Sequence, residues 1–292
     1  MRKLFTVLVC IALSSTGRAQ ELILSPACQS LTLVGGKTFT ETITTIGRQF
    51  VGYPYVPHTL DGSSTEQLVV NTAQFDCTTY VETVLALSLA RQENAGQTEP
   101  MIFEQSFRKY LTKLRYRDGQ INGYASRLHY FSEWLRDNEQ KGLLTDVTSQ
   151  LPGTISVAKP VSYMTASTYK YPRLNDPAIF KQVAQTEATL SQQSFAFIPK
   201  KNIKQAETQL HEGDIVMLTA ARPGLDMKHV GLVVRQPDGQ VHLLHASSDY
   251  GAVVITSCSL SDYVLYHKHL SGIRVARLRL PTPALTAATS RP

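Results

Sequence analysis

The sequence predicts an α+β protein in which helices come first and an antiparallel sheet follows. Apolar residues recur at helical spacing through the first half of the chain, and short β-rich runs separated by Pro/Gly turns fill the region after His211. No internal repeat interrupts that order. Helices gathered before a meander pack in layers against one sheet.

The elements follow in order. Residues 37–50 read as a helix, with Phe39, Ile43 and Ile46 on one side, and the Gly52-Tyr53-Pro54-Tyr55-Val56-Pro57 stretch breaks it. Each proline there pushes the residue before it out of the helical region. A second helix covers 76–92, its apolar side built by Val81, Val84, Leu85 and Leu89; others are expected over 102–116, 126–140 and 178–192. Residues 153–177, with three prolines, read as loop with one strand; residues 195–198 read as a strand and 202–210 as a helical turn or two. Strands then follow at 214–218, 229–234, 241–245, 252–256 and 272–280. Gln236-Pro237-Asp238-Gly239 joins two of them as a turn, because Pro presets one turn dihedral and Gly accepts the other.

The first residues form a targeting signal. Met1-Arg2-Lys3 is basic, residues 4–13 are mostly apolar, and small and polar residues lead to Ala19. That grammar predicts a secretory signal over residues 1–19, an exported periplasmic protein, a single domain over 20–280 and a disordered Pro/Thr/Ala/Ser tail over 281–292. The apolar run is too short to span a bilayer, and no later run is long enough, so the mature form is expected to have no membrane span. Without Arg2, Lys3 and Arg18, 26 basic residues face 23 acidic ones, a net +3 spread along the chain. Nucleic-acid binding needs a basic patch or stripe, which the sequence lacks.

Without Cys10, three cysteines remain: Cys28, Cys77 and Cys258. An odd count in an oxidising compartment leaves one thiol over. A disulfide between Cys28 and Cys258 would leave Cys77 free, while a disulfide at Cys77 stays open as the alternative. Cys77 falls where the second helix begins, with Asp76 as its N-cap. Unpaired amides and the helix dipole at that end favour an anion, so the thiol pKa is expected to fall and its thiolate to act as a nucleophile. His229 opens a strand and can exchange a proton with a neighbouring helix end. His245 lies sixteen residues on; if the two strands pair, it stands on the same side and orients His229. Gly231 allows close approach to that strand. Either histidine alone reads more readily as structural; the combination with Cys77 carries the argument. His242, His267 and His269 lack metal-site spacing and read as surface histidines, so neither metal nor cofactor is expected.

Asp-Cys at a helix start, His229-Val230-Gly231 on one strand and His245-Ala246-Ser247 on the next resemble the NlpC-type branch of papain-like cysteine peptidases and amidases. Members of that branch cut amide bonds in bacterial peptidoglycan with a Cys–His–polar triad. The resemblance implies a papain-like NlpC-type fold, with Cys77, His229 and His245 catalytic and the Tyr55 hydroxyl in the oxyanion site. Several features depart from the pattern. Thr78-Thr79 stands where Ser-Gly is usual, the interval from Tyr55 to Cys77 is longer and lacks paired glycines, and an insertion over about 95–200 separates helix from sheet.

Three stretches, 75–82, 126–134 and 224–231, resemble a narrower group, first catalogued as a domain of unknown function (DUF 1460) and regarded as NlpC-like N-acetylmuramoyl-L-alanine amidases. That likeness implies muropeptide substrates, a monomer, and hydrolysis of the muramoyl–L-alanine amide through a thioester. It also places Asp226 as a residue that shapes the cleft and Arg127 as a holder of a substrate carboxylate, against the plainer reading of Arg127 as a surface ion pair. Two other functions fit less closely: an endopeptidase cutting between γ-D-glutamate and the diamino acid, and a non-catalytic wall-binding protein. Digestion products separate the first from the amidase, and Cys77→Ala separates the second.

Overall fold

The computed structural model describes residues 35–97 and 99–280. The expected signal over 1–19, the tail over 281–292 and Cys28 lie outside the described residues. Five longer helices are present: α1 (Phe39–Gln49), α2 (Cys77–Glu93), α3 (Pro100–Arg115), α4 (Phe131–Gln140) and α5 (Pro177–Ser191). Eight strands form one antiparallel sheet: β1 (Leu144–Asp146), β2 (Ile155–Ala158), β3 (Ser194–Pro199), β4 (Ile215–Ala220), β5 (Met227–Arg235), β6 (Val241–Ser247), β7 (Ala252–Ile255) and β8 (Leu270–Leu278). Two short helices, α6 (Ile203–Ala206) and α7 (Leu260–Tyr266), complete the set.

The strand order is β2-β3-β8-β4-β5-β6-β7, with β1 also on β8. β4 to β7 form the expected meander, and β8 returns to pair with β4. The segment expected as an insertion is not a separate module, because β1 and β3 both hydrogen-bond to β8. The sheet's first face is covered by α1 and α2, with α3 packed behind α2 and Val230, Leu232 and Leu244 in the shared core. Its second face carries Val233, Leu243 and Val275 under α6 and α7. A smaller core inside the insertion joins Tyr130, Val161, Met164 and Leu190.

Helix α2 is buried on every side from Thr79 to Ala90, where the sequence predicts one apolar face. Helices on one side and the sheet on the other leave it no solvent face. Burial extends to Glu82, whose carboxylate is met by Arg115 Nε at 2.7 Å; both side chains are at most 3% exposed. Burial pushes the Glu82 carboxyl above its ordinary range, and the Arg115 guanidinium partly offsets this. Arg115 also donates to Val69 O at 2.7 Å.

Candidate active site

Helix α2 starts with a capping box. Asp76 accepts from the Thr79 amide at 2.8 Å, and the Asp76 amide donates to Thr79 Oγ1 at 2.9 Å. Thr79, a departure from the resembled pattern, thus completes the cap. The cap leaves Cys77 as the first helical residue, half-buried, with a free thiol. Tyr55 is fixed beside it: the segment bridges Phe75 in parallel, with Val56 N to Phe75 O and Tyr55 N to Gly251 O both 2.8 Å.

The β4–β5 register shifts between Leu218 and Thr219, leaving Lys228 unpaired just before His229. Such a bulge re-aims the neighbouring side chain. Pairing of Leu232 with Leu244 puts Gly231 opposite His245, so His229, two residues from Gly231, shares its side of the sheet. His229 Nε2 and His245 Nδ1 stand 2.6 Å apart. A Cβ on Gly231 would lie 2.9 Å from His245 Cβ, so glycine is what lets the second imidazole stand there.

Cys77, Tyr55, His229, Ser247, Asp249 and Tyr263 line one cleft of about 580 Å³. Val230 and Thr78, next to the sulfur, act to lower its pKa. His229 Nε2 faces His245, which leaves Nδ1 as the ring nitrogen outside that contact. For Nδ1 to act as an acceptor, Nε2–H must donate to His245 Nδ1, which places the His245 proton on Nε2. That nitrogen is buried without a hydrogen-bond partner, with the Tyr263 ring 5.5 Å away at 71°.

Electrostatics reverse one expectation. Burial, with the Asp76 carboxylate second, pushes the Cys77 thiol up to about 12. Desolvation outweighs the helix-end amides because the neighbouring imidazoles are neutral. Burial lowers His229 to about 4 and His245 to about 2, the latter also by the facing His229. Burial and the nearby Cys77, Asp76 and Asp249 raise Tyr55 to about 12, so it remains a phenol able to donate.

Two expected site residues lie elsewhere. Asp226 is buried, and its carboxylate accepts the Ser132 amide at 2.8 Å and the Met227 amide at 2.6 Å. It caps α4, whose own N-cap residue Tyr130 makes no side-chain cap bond, and so shapes the cleft only by fixing the β4–β5 loop. Arg127 does not line the cleft. Its guanidinium bonds Glu66 Oε2 at 2.7 Å, Asp61 Oδ1 at 2.9 Å and Leu60 O at 3.3 Å, so its donors are committed within the protein. It is an ion pair, although a largely buried one rather than a surface one.

Two of the three dismissed histidines differ from expectation, while His269 is exposed as expected. His242 is buried between Thr256 O and Asp238. His267 and His269 both line the cleft, and His267 Nδ1 donates to Tyr263 O at 2.7 Å. The alternation in His267-Lys268-His269 was the visible signal. Tyr163 and Arg222 line the cleft as well with no motif to mark them, and so does Lys228, which lies in the 224–231 stretch. Cys258 is exposed with a free thiol; the expected bridge cannot be followed to Cys28, outside the described residues. Among the described residues, no group of three His, Cys, Asp or Glu could hold a metal ion, and no helix is long and apolar enough to cross a membrane.

A family model for AmiA-like, N-acetylmuramoyl-L-alanine amidase-like proteins matches residues 45–273. The chain belongs to this family. Among solved structures, an N-acetylmuramoyl-L-alanine amidase from Bacteroides uniformis is 34% identical, with 82% of this chain and 99% of that one covered and a TM-score of 0.74. A Bacteroides fragilis protein provisionally named a xylanase is 39% identical over 80% of this chain and 99% of its own, also at 0.74. A Legionella pneumophila protein of family DUF1460 shares the fold at 22% identity and a TM-score of 0.63, with 87% and 94% covered. The search of curated proteins found no match.

Proposed function

We propose that this family member is an exported, papain-like, NlpC-type cysteine amidase that hydrolyses the N-acetylmuramoyl-L-alanine bond of peptidoglycan fragments. The observation that carries the reading is one cleft holding a thiol at a helix start, the His229–His245 pair and the Tyr55 phenol. Cys77 Sγ attacks the lactyl carbonyl as His229 Nδ1 takes the thiol proton. The carbonyl oxygen becomes an oxyanion, met by the Cys77 amide and the Tyr55 hydroxyl; one such donor is worth about 3 kcal/mol. The C–N bond then breaks, and His229 returns the proton to the departing L-alanine amine. Water, deprotonated by His229, attacks the thioester and releases the muramoyl carboxylate and the thiol.

The uniformis relative favours this bond, while the fragilis relative's name suggests glycoside hydrolysis. That chemistry requires two carboxylates flanking the bond. Asp249 is the one carboxylate among the described residues lining the cleft, which favours acyl transfer. Mass spectrometry of defined muropeptides tests the reading. Wild type releases intact stem peptide and Cys77→Ala releases none. Appearance of L-Ala-D-Glu would shift the reading to the endopeptidase, and undiminished cleavage by Cys77→Ala would remove the nucleophile.

A further inference from the structure

The cleft is electrically lopsided. Asp249 acts on Tyr55, Tyr263 and His229 and stands 3.5 Å from His267 Nε2. Basic groups gather instead around Tyr163. The Arg222 guanidinium lies 4.8 Å above its ring, the Lys170 ammonium donates to its hydroxyl at 2.8 Å, and Lys228 lines the same wall. Together these cations pull the Tyr163 phenol below its ordinary pKa. The wall is built rather than accidental. Val161 bridges Gly224 in parallel, Ser162 N donates to Gly224 O at 2.9 Å, and Gly224 holds φ at +77°. Insertion and β4–β5 loop are thereby joined at the point where Tyr163 meets Arg222.

Arg115, Arg127, Arg274 and Arg277 all engage carboxylates within the protein. Arg222 and Lys228 form no ion pair among the described residues. Arg222 sits over the Tyr163 ring, and without a carboxylate partner its N–H groups are left for an anion. In a muropeptide the lactyl carboxyl is consumed in the amide bond, so the acidic groups lie on the peptide half.

We propose that Arg222, Lys228, Lys170 and Tyr163 form an anion subsite that receives a free carboxylate of the substrate's stem peptide, an inference that rests on the amidase reading. It identifies the preferred substrate as one whose peptide carboxylates are not amidated. Lys228 immediately precedes His229, so the subsite starts one residue from the proposed base.

The test is calorimetric binding to the full-length Cys77→Ala protein, which cannot turn substrate over. The probes are N-acetylmuramoyl-L-alanyl-D-glutamate and its diamide. The dicarboxylate binds about tenfold tighter at low salt, as one charge-assisted bidentate contact allows at a partly exposed site. Arg222→Gln with Lys228→Gln abolishes the preference, and Arg222→Lys retains part of it. Equal affinity for the two probes, no binding of either, or a preference that survives the double substitution overturns the subsite. Thermal melts confirm that the variants are folded, as expected for exposed positions. Wild type that binds the dicarboxylate selectively but cuts neither probe refutes the amidase reading and leaves the subsite standing.

Discussion

Replacing Gly231 by alanine tests the placement of the histidine pair without touching either ring. An added Cβ would stand 2.8 Å from Leu243 Cδ1 and 2.9 Å from both Leu243 Cγ and His245 Cβ. Ordinary carbon contacts lie at about 3.5–4.0 Å, so the neighbours must yield by about 0.6–1.2 Å. Leu243 is fully buried, and His245 Cβ is tied directly to the β6 backbone, so neither moves freely. Overpacking of this kind costs about 1–3 kcal/mol. For a domain of this size that lowers Tm by about 2–10 °C. The same displacement stretches the 2.6 Å contact between His229 Nε2 and His245 Nδ1. A misplacement near 1 Å costs about a hundredfold in turnover. Calorimetry and amine release from a defined muropeptide read the two effects. A Gly231→Ala protein with Tm within a degree of wild type and kcat within twofold would show that β6 tolerates the methyl and refute the reasoning.

Other outcomes follow from buried groups. Arg115→Leu strands the Glu82 carboxylate inside the protein and should cost about 3–5 kcal/mol, read by denaturant unfolding; a loss below 1 kcal/mol would mean water reaches Glu82. Asp226→Ala removes the acceptor of the Ser132 and Met227 amides and should lower stability by about 1–3 kcal/mol, read by denaturant unfolding; an unchanged unfolding midpoint would mean those amides find other acceptors. Cys77 alkylation by iodoacetamide should climb steadily from pH 7 to 10, because burial holds the thiol near 12; a reactivity plateau reached below pH 7 contradicts this. His129 is lowered to about 4, chiefly by burial, from a free value near 6.5. Below pH 6.5 the unfolded state therefore takes up its proton first. The stability this costs amounts to about 2 kcal/mol at pH 5. His129→Gln should accordingly lose less Tm than wild type between pH 7 and pH 5, and an unchanged slope would remove His129 as a cause.

The helices and the meander were legible because each announces itself locally: Asp76 as a cap, Pro237-Asp238-Gly239 as a turn, Ile43 and Ile46 at helical spacing. The alignment of the two imidazoles was legible too, since strand pairing through that turn dictates it. What escaped was set by long-range partners. β1 is three residues held by Leu278, and α7 is a seven-residue helix capped by Ser259 that brings Tyr263 under His245. The plainer reading of Arg127 as an ion pair held, but its partners Asp61 and Glu66, more than sixty residues away, and its burial are invisible to local reading. The thiol's direction of shift failed for a related reason. A helix start argues for an anion, but how much water the rest of the fold removes from the sulfur is not written at the helix start.

That raised thiol is compatible with nucleophilic chemistry when Cys77 and His229 are treated as a pair. Burial opposes a lone thiolate and a lone imidazolium, and each shift expresses that opposition separately. Moving one proton from sulfur to nitrogen leaves the pair neutral overall and sets two opposite charges beside each other, where a low dielectric strengthens their attraction. The partners that charge separation requires already stand in place. Val230 and Thr78 favour the sulfur anion, and His245 Nδ1 is 2.6 Å from the nitrogen that would share the new positive charge. Little needs to reorganise when the proton crosses, which is the condition under which fixed dipoles lower a barrier. In the proposed mechanism the cleft would therefore keep Cys77 protonated at rest, protected from stray alkylation or oxidation, and release it only against a carbonyl seated between Tyr55 and the helix end.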